Sequence, residues 1–463
     1  MVMMTFEGAR SFIAESSKTG SILGLESICN LMSELGNIQD RLPVIHIAGT
    51  NGKGSTGAYL QAIFEQAGFT TARYCSPAVF DPLEVFQYCG TTISESEYAH
   101  VMSQVKTACD ILVSKGNPMP TVFEIETAAA FVWFYRKKPD IVLLEVGMGG
   151  ETDATNIVKN PLASVITTIS RDHMGFLGES VEEIAAVKAG IIKEKCPVFS
   201  AAQKSGVEQV LFEHANRKQA ELRMVEEGDC QLLEEALGRL AFSYKGKNYV
   251  TGMAGLYQMK NAALAIEVAE YLFPKLMEKK ESKVSVKRIV QERISKEEIS
   301  REEIHKEEIT REEIIKKGIE AARWAGRFEV IQKEPLVIMD GAHNEDAAKQ
   351  LAQTVHNCFP KQKLTYIIGV LADKEHEKML ELMLPYADQV YTVTPSNPRA
   401  LDGKQLAEEV RNFHQKVEAC DSVTEALKKA LQQAKEKKEP VLAFGSLSYL
   451  GELKRTIEIL DEK

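Results

Sequence analysis

From residue 42 onward, short runs of apolar and β-branched residues alternate with longer stretches whose apolar positions return every three or four residues. The runs are PVIHIAG (43–49), FTTARYC (69–75), IVLLEV (141–146), SVITTIS (164–170) and PVFSAA (197–202), and helical patterns fall near 53–67, 95–115 and 123–137. Parallel neighbours in a sheet need a long crossover, so this alternation predicts a mostly parallel sheet with helices on both faces. AFSYKGKNYVTGM (241–253) breaks the rhythm: its two-residue period around Lys245-Gly246 predicts a hairpin that decorates the first domain. After residue 327 the alternation restarts with PLVIMDGA (335–342), LTYIIGV (364–370), QVYTVTP (389–395) and PVLAFGS (440–446). Helical patterns near 345–357, 375–385, 402–412 and 423–436 separate these runs. The expected architecture is α/β in two parts, a P-loop-type domain over 1–325 and a smaller Rossmann-like domain over 326–463.

Between the two lies ISKEEISREEIHKEEITREEI, with isoleucine at 294, 299, 304, 309 and 314. A five-residue step turns about 140° on a helix, so these isoleucines form no single apolar face. The charges are more regular, because Glu297–Arg301, Glu302–Lys306, Glu307–Arg311 and Glu312–Lys316 are all acid-to-base pairs at i,i+4. The segment is expected to be a solvated, salt-bridged helical insertion over about 291–316, with docking of a partner as the alternative.

Composition narrows the function classes. The chain has 463 residues, 44% of them apolar and 26% charged, which is enough to bury cores and excludes global disorder. Its 56 basic against 66 acidic residues leave a net charge of −10, which argues against a nucleic-acid partner. Eight scattered cysteines without a C-x-x-C pair suggest neither a zinc site nor a disulfide framework, and fit a reducing cytoplasm. Glu7 and Arg10 interrupt the first apolar residues, unlike a signal peptide, and no run of 18 apolar residues suggests a membrane span. Nothing advertises an interface, so a monomer is expected.

The segment with the clearest chemistry is HIAGTNGKGSTGAYL (46–60), where an apolar strand runs into a glycine-rich turn and then a helical pattern. Glycines let backbone N–H groups approach phosphate oxygens, and the helix N-terminus adds positive potential. Gly49, Thr50, Asn51, Gly52, Lys53, Gly54, Ser55 and Thr56 are therefore candidate nucleotide-binding residues, with Lys53 at a phosphate and Ser55 at a magnesium ion. The spacing is not G-x-x-x-x-G-K-[ST]: two residues separate Gly49 from Gly52, and Gly54 follows Lys53. Further ligand candidates are Glu124 and Glu126 in TVFEIETAAAF, of which a helix can aim only one at a given site, and His173 in RDHMGFLG beyond an apolar strand. Lys188, in IAAVKAGIIK, has small and apolar neighbours and is expected to be partly buried, which calls for a partner or a modification.

GTNGKGS, the Phe123–Thr127 segment, EVGMGGETDATN (145–156), DHMGFLG, KAGIIK, GLYQMKNAALA (255–265), WAGRFE (324–329), DGAHN (340–344) and GSLSYLGEL (446–454) occur in one order. This ordered set, over roughly residues 20–455, resembles the folylpolyglutamate synthase and dihydrofolate synthase family of the Mur ligase superfamily. The resemblance implies ATP-dependent joining of L-glutamate to a folate or pteroate carboxylate through an acyl phosphate, releasing ADP and phosphate. It implies ATP and two magnesium sites, with potassium as a further ion. By similarity Lys53 would hold phosphates, Ser55 and Glu124 the first magnesium and His173 the second, with Lys188 carbamylated to add carboxylate oxygens. Asn261 would contact the nucleotide, Arg327 its phosphates, and Asp340 and His343 the ribose or base, while Ser76, Asp153, Thr155 and Asn156 would bind substrate. Two positions depart from the family pattern. CSPAVFDPLEVFQYCG (75–90) lacks the usual histidine and arginine of the pterin loop, and Glu151 stands where a basic residue is frequent. A Mur-type ligase with another acceptor, or a nucleotide-hydrolysing switch, are the alternative readings.

Overall fold

The structure is a computed structural model that describes residues 3–17, 24–171, 177–292, 310–372 and 376–461. Its first sheet has eight strands: β1 (Val44–Ala48), β2 (Thr71–Tyr74), β3 (Phe86–Tyr88), β4 (Thr91–Thr92), β5 (Ile141–Glu145), β6 (Ala163–Ile166), β7 (Val198–Ser200) and β8 (Leu222–Met224). Their order is β4-β3-β2-β5-β1-β6-β7-β8, parallel throughout except where β3 and β4 extend one edge antiparallel. All five residues of β1 are buried, and it pairs on one side with β5 and on the other with β6. The chain thus steps to opposite sides of β1, the arrangement that opens a ligand crevice beyond the carboxyl ends of parallel strands.

The helix Lys53–Gln66 follows β1 directly, and ten of its fourteen residues are buried. It is an inner helix, covered by the helices Tyr257–Glu292 and Arg311–Ala321. A second, antiparallel sheet is built from β9 (Cys230–Ala236), β10 (Arg239–Tyr244) and β11 (Lys247–Thr251). The expected hairpin is β10–β11, with Lys245 and Gly246 both at positive φ in its turn. Phe242, Tyr244 and Tyr249 join this sheet to the core beneath the inner helix.

The second domain has six strands: β12 (Glu329–Lys333), β13 (Leu336–Met339), β14 (Leu364–Ile368), β15 (Ala387–Thr392), β16 (Val417–Ala419) and β17 (Val441–Phe444). Their order is β12-β13-β17-β14-β15-β16, with only β12 antiparallel. All four expected strands are present. The additional ones, β12 and β16, lie at the edges, where one-sided pairing and partial exposure leave no continuous apolar run.

Residues 293–309 of the isoleucine repeat lie outside the described residues, and with them Ile294, Ile299, Ile304, Ile309 and three of the expected charge pairs. The fourth pair is formed, with Lys316 Nζ 2.6 Å from Glu312. The expectation of a solvated insertion reaching residue 316 needs correction at this end. Thr310 caps the helix Arg311–Ala321 in a reciprocal box with Glu313, and Ile315 and Ile319 are buried against the core of the first domain. Gly318 permits that packing, since a Cβ there would stand 2.5 Å from the Ile63 Cα. All eight cysteines are free thiols. Among the described residues no helix is long and apolar enough to cross a membrane.

Gly318→Ala should therefore push two helices apart and destabilise the first domain by ~1–3 kcal/mol. A lower denaturation midpoint checks this, and an unchanged midpoint would show that the helix pair can slide to make room.

Candidate active site

The loop after β1 reads GTNG, and two of its glycines are required by geometry. Gly49 has φ 151° and Gly52 has φ 90°. A Cβ on Gly49 would overlap the Thr167 side chain, and one on Gly52 the Asn261 amide. The Thr50 and Asn51 N–H groups donate to the Thr168 carbonyl at 2.9 and 3.3 Å, which ties the loop to the end of β6. Lys53 opens the helix and turns back, donating from Nζ to the Gly49 and Thr50 carbonyls at 3.1 and 3.3 Å. Ser55 Oγ accepts from Gln258 Nε2 at 3.3 Å. Thr56 is fully buried inside the helix, where its hydroxyl meets no polar partner among the described residues. Lys188, 4% exposed, donates from Nζ to the Gly49 carbonyl at 3.1 Å, so it stands beneath the loop.

Beside the loop a carboxylate that the sequence analysis passed over takes a central place. Glu145 ends β5 in register with Ile47 of β1, is 7% exposed, and accepts no hydrogen bond from a described residue. Burial raises its pKa, and the charges of Lys53, Arg73 and Arg327 oppose that rise. Those cations come from the first residue of the inner helix, from β2 and from the linker before β12, so one acid ties three segments together electrostatically. A signal was present: an acid closing an apolar strand sits where a parallel sheet meets its ligand.

The second domain closes the other wall. Asp340, at the end of β13, accepts from the Phe328 and Ala342 N–H groups, both at 2.8 Å, and from the Tyr257 hydroxyl at 3.3 Å. Its burial raises its pKa while Arg327 lowers it. The His343 Nδ1–H donates to the Gly341 carbonyl at 2.8 Å, and Asn344 caps the helix Glu345–Cys358. The Asn51 side-chain amide donates to Asn344 at 3.4 Å and to Asp346 at 3.2 Å, so the glycine loop touches the second domain directly. A cleft of about 300 Å³ runs between the two walls, lined by Asn51, Gly52, Ser55, Asn261, Arg327, Asp340 and His343 among others.

Other expected residues lie elsewhere. The Glu124 carboxylate accepts from Thr121 N at 2.7 Å, Thr121 Oγ1 at 2.9 Å and Ser27 Oγ at 3.0 Å, capping its own helix. Asp153 accepts from Met148 N at 2.9 Å and from the Thr155 N–H and hydroxyl at 3.0 and 2.5 Å. Asn156 donates to the Glu151 and Gly190 carbonyls. These three side chains shape the loop 147–156 from within. Ser76 is half-buried just past β2. His173 lies outside the described residues, and among those described no group of three His, Cys, Asp or Glu side chains comes together.

A glycine-rich loop before an inner helix, facing a second α/β domain across a cleft, is the architecture of a two-domain nucleotide-dependent ligase. Comparison with known proteins agrees: residues 47–269 match the Mur ligase middle domain, and residues 326–447 the glutamate ligase domain of Mur ligases. The class is the ATP-dependent amino-acid ligases of the Mur ligase superfamily. The chain is 32% identical to the dihydrofolate synthase/folylpolyglutamate synthase of Bacillus subtilis, over 98% of its own length and 99% of the relative's. Its fold is similar to that of Mycobacterium tuberculosis folylpolyglutamate synthase, solved with ADP and AMPPCP, at a TM-score of 0.82 and 26% identity over 99% of both chains. It is also similar to Escherichia coli FolC in complex with DHPP and ADP, at a TM-score of 0.78 and 27% identity over 98% of each chain. The chain belongs to the dihydrofolate synthase/folylpolyglutamate synthase family.

The loop 147–156 is anchored to β1 through a histidine. The Thr155 hydroxyl donates to Asp153, so it accepts from His46 Nε2 at 2.9 Å, which leaves the buried Nδ1 without a proton and without a partner among the described residues. Burial, followed by the charge of Lys193, lowers the His46 pKa from 6.5 to about 3. Below pH 6.5 the unfolded chain takes up a proton that the folded chain refuses. Stability should then fall as pH drops toward 3, by up to about 1.4 kcal/mol per pH unit from this group. Chemical denaturation of His46→Gln at several pH values should show a shallower acid slope, and an unchanged slope would remove His46 as the cause.

Proposed function

We propose that the chain joins L-glutamate to the carboxylate of a folate or dihydropteroate, driven by ATP. The observation that carries this reading is the cleft in which Asn51, Gly52 and Ser55 face Arg327, Asp340 and His343 of the other domain, with the buried Glu145 carboxylate in the field of Lys53 and Arg327. The acceptor carboxylate attacks the γ-phosphoryl group to form an acyl phosphate, and the glutamate amine displaces phosphate. Charge in such a transfer spreads over the phosphoryl oxygens, so positioning and fixed cations supply most of the rate enhancement. Lys53 and Arg327 carry those cations. Asn51, held between the domains, orients the loop, and Asn261 beside Gly52 fixes its turn.

A magnesium ion fits the donor set. Ser55 offers a hydroxyl, and Glu145 a desolvated carboxylate that no described donor satisfies, which suits a cation that takes one or two carboxylates and completes its shell with phosphates and water. When bound, it neutralises charge on the β- and γ-phosphates. Glu145 replaces Glu124 in this assignment. His173 for a second ion and carbamylation of Lys188 rest on the family resemblance, and the burial of Lys188 under the loop supports the latter.

One feature favours keeping a different acceptor as the second reading. The loop after β2 folds on itself, with the Val79, Phe80 and Asp81 N–H groups donating to Glu84, and Arg455 of the second domain donates to the Phe80 carbonyl at 3.0 Å. No histidine or arginine occurs between Cys75 and Gly90 to meet a pterin.

ADP release with magnesium, potassium and L-glutamate, comparing dihydropteroate, tetrahydrofolate and no acceptor, tests the reading. Stimulation by either acceptor supports it, while silence with both and intact nucleotide binding moves the assignment to the second reading. Lys53→Ala and Glu145→Gln should each lower kcat/KM by at least about 100-fold, from lost cationic and metal stabilisation. Glu124→Gln should lose less, and a larger loss there than in Glu145→Gln would return the metal to Glu124.

A further inference from the structure

The phosphate loop carries a glycine that phosphate binding alone does not require. Gly54 separates Lys53 from Ser55, and Gly57 lies three residues further on, so the two share one face of the helix. A Cβ on Gly54 would stand 2.5 Å from the Trp324 Nε1 and 2.9 Å from its Cε2. A Cβ on Gly57 would stand 3.1 Å from the Arg73 Nε and 3.2 Å from its Nη2. This bare face is the seat of a stack: the Arg73 guanidinium donates through Nη2 to the Gly54 carbonyl, and its Cζ lies 3.8 Å from the centre of the Trp324 ring.

Arg73 is 2% exposed, in β2. A buried cation at a helix N-terminus is disfavoured both by lost hydration and by the helix dipole. The ring face, the Gly54 carbonyl and the field of Glu145 offset those costs. Trp324 is not part of the first sheet or of its helices. It lies in the segment between the helix Arg311–Ala321 and β12, three residues before Arg327.

We propose that Trp324 is a positioning residue, holding Arg73 against Gly54 so that the placement of Lys53 and Ser55 depends on where the interdomain linker lies. The inference rests on nucleotide binding at this loop, and it names the linker as the element through which the second domain sets nucleotide affinity. Displacing the linker removes the ring, frees the guanidinium from the Gly54 carbonyl and loosens the first helical turn between the two side chains that face the phosphates.

ADP binding to the full chain with magnesium tests this without reference to the acceptor. Calorimetry should show Trp324→Ala weakening ADP about tenfold and Trp324→Phe about threefold or less, because phenylalanine keeps a ring face for the guanidinium. Should the alanine variant not fold, Trp324→Leu keeps more of the apolar bulk, loses the π face and should weaken ADP similarly. Gly54→Ala should weaken ADP in the parent but add little in the Trp324→Ala background, where the ring that its Cβ would strike is gone. With Trp133→Phe, Trp324 is the sole tryptophan, and its emission should change saturably with ADP. ADP affinity of Trp324→Ala and Trp324→Leu within twofold of the parent, or additive losses in the double variant, overturns the proposal. A parent that binds no ADP overturns the nucleotide reading as well, an outcome distinct from unaltered binding in the variants.

Discussion

Glu145 is a carboxylate taken almost wholly out of water, and the chain answers it with cations from three places, while no donor among the described residues hydrogen-bonds its carboxylate. An ion in that setting is costly unless opposite charge stands close. Lys53 arrives on the inner helix, Arg73 on β2 and Arg327 on the linker. Each is held by contacts of its own: Lys53 by the loop carbonyls, Arg73 by Gly54 and Trp324, and Arg327 in the wall that also contains Asp340. The order of strands in the first sheet follows the same need, since it places the ends of β5 and β6 on either side of the loop after β1.

The two domains meet where this charge is concentrated. Asn51 reaches the capping asparagine of the helix Glu345–Cys358, the segment after β2 meets the carboxyl-terminal helix through Phe80 and Arg455, and Trp324 lies against the loop helix. A cleft assembled from both sides can exclude water while closed and open to release products, which suits the acyl-phosphate route proposed above.

Much of this was legible along the chain. The five strand runs of the first domain and the four of the second all correspond to strands, because a strand buried on both faces needs a continuous apolar run. The strands β3, β4, β8, β12 and β16, at or next to a sheet edge, were not legible, being short and partly exposed. The glycine-rich loop stood out through its glycines, two of which the structure requires for positive φ and close approach. The structure gives the Glu124 carboxylate a helix-capping task. Glu124 in a helical pattern looked available, yet it is the third residue of its helix after Thr121, and a carboxylate there turns back to the free N–H groups. Asp153, Thr155 and Asn156 are polar residues of a loop, and whether such groups face a ligand or their own backbone is settled by the fold of the loop.

By itself the sequence determined the α/β alternation, the two sheets, the glycine loop with its lysine and serine, and membership of a ligase family, because each depends on local periodicity or on a contiguous motif. Only the tertiary structure decided that Glu145 rather than Glu124 stands with the loop, that Gly54 and Gly57 seat Arg73 under Trp324, and that Ile315 is buried rather than solvated. Those facts turn on which distant segments share one desolvated space. Burial, and the energy of a charge within it, belongs to the assembled surroundings of a residue and not to its neighbours in the chain.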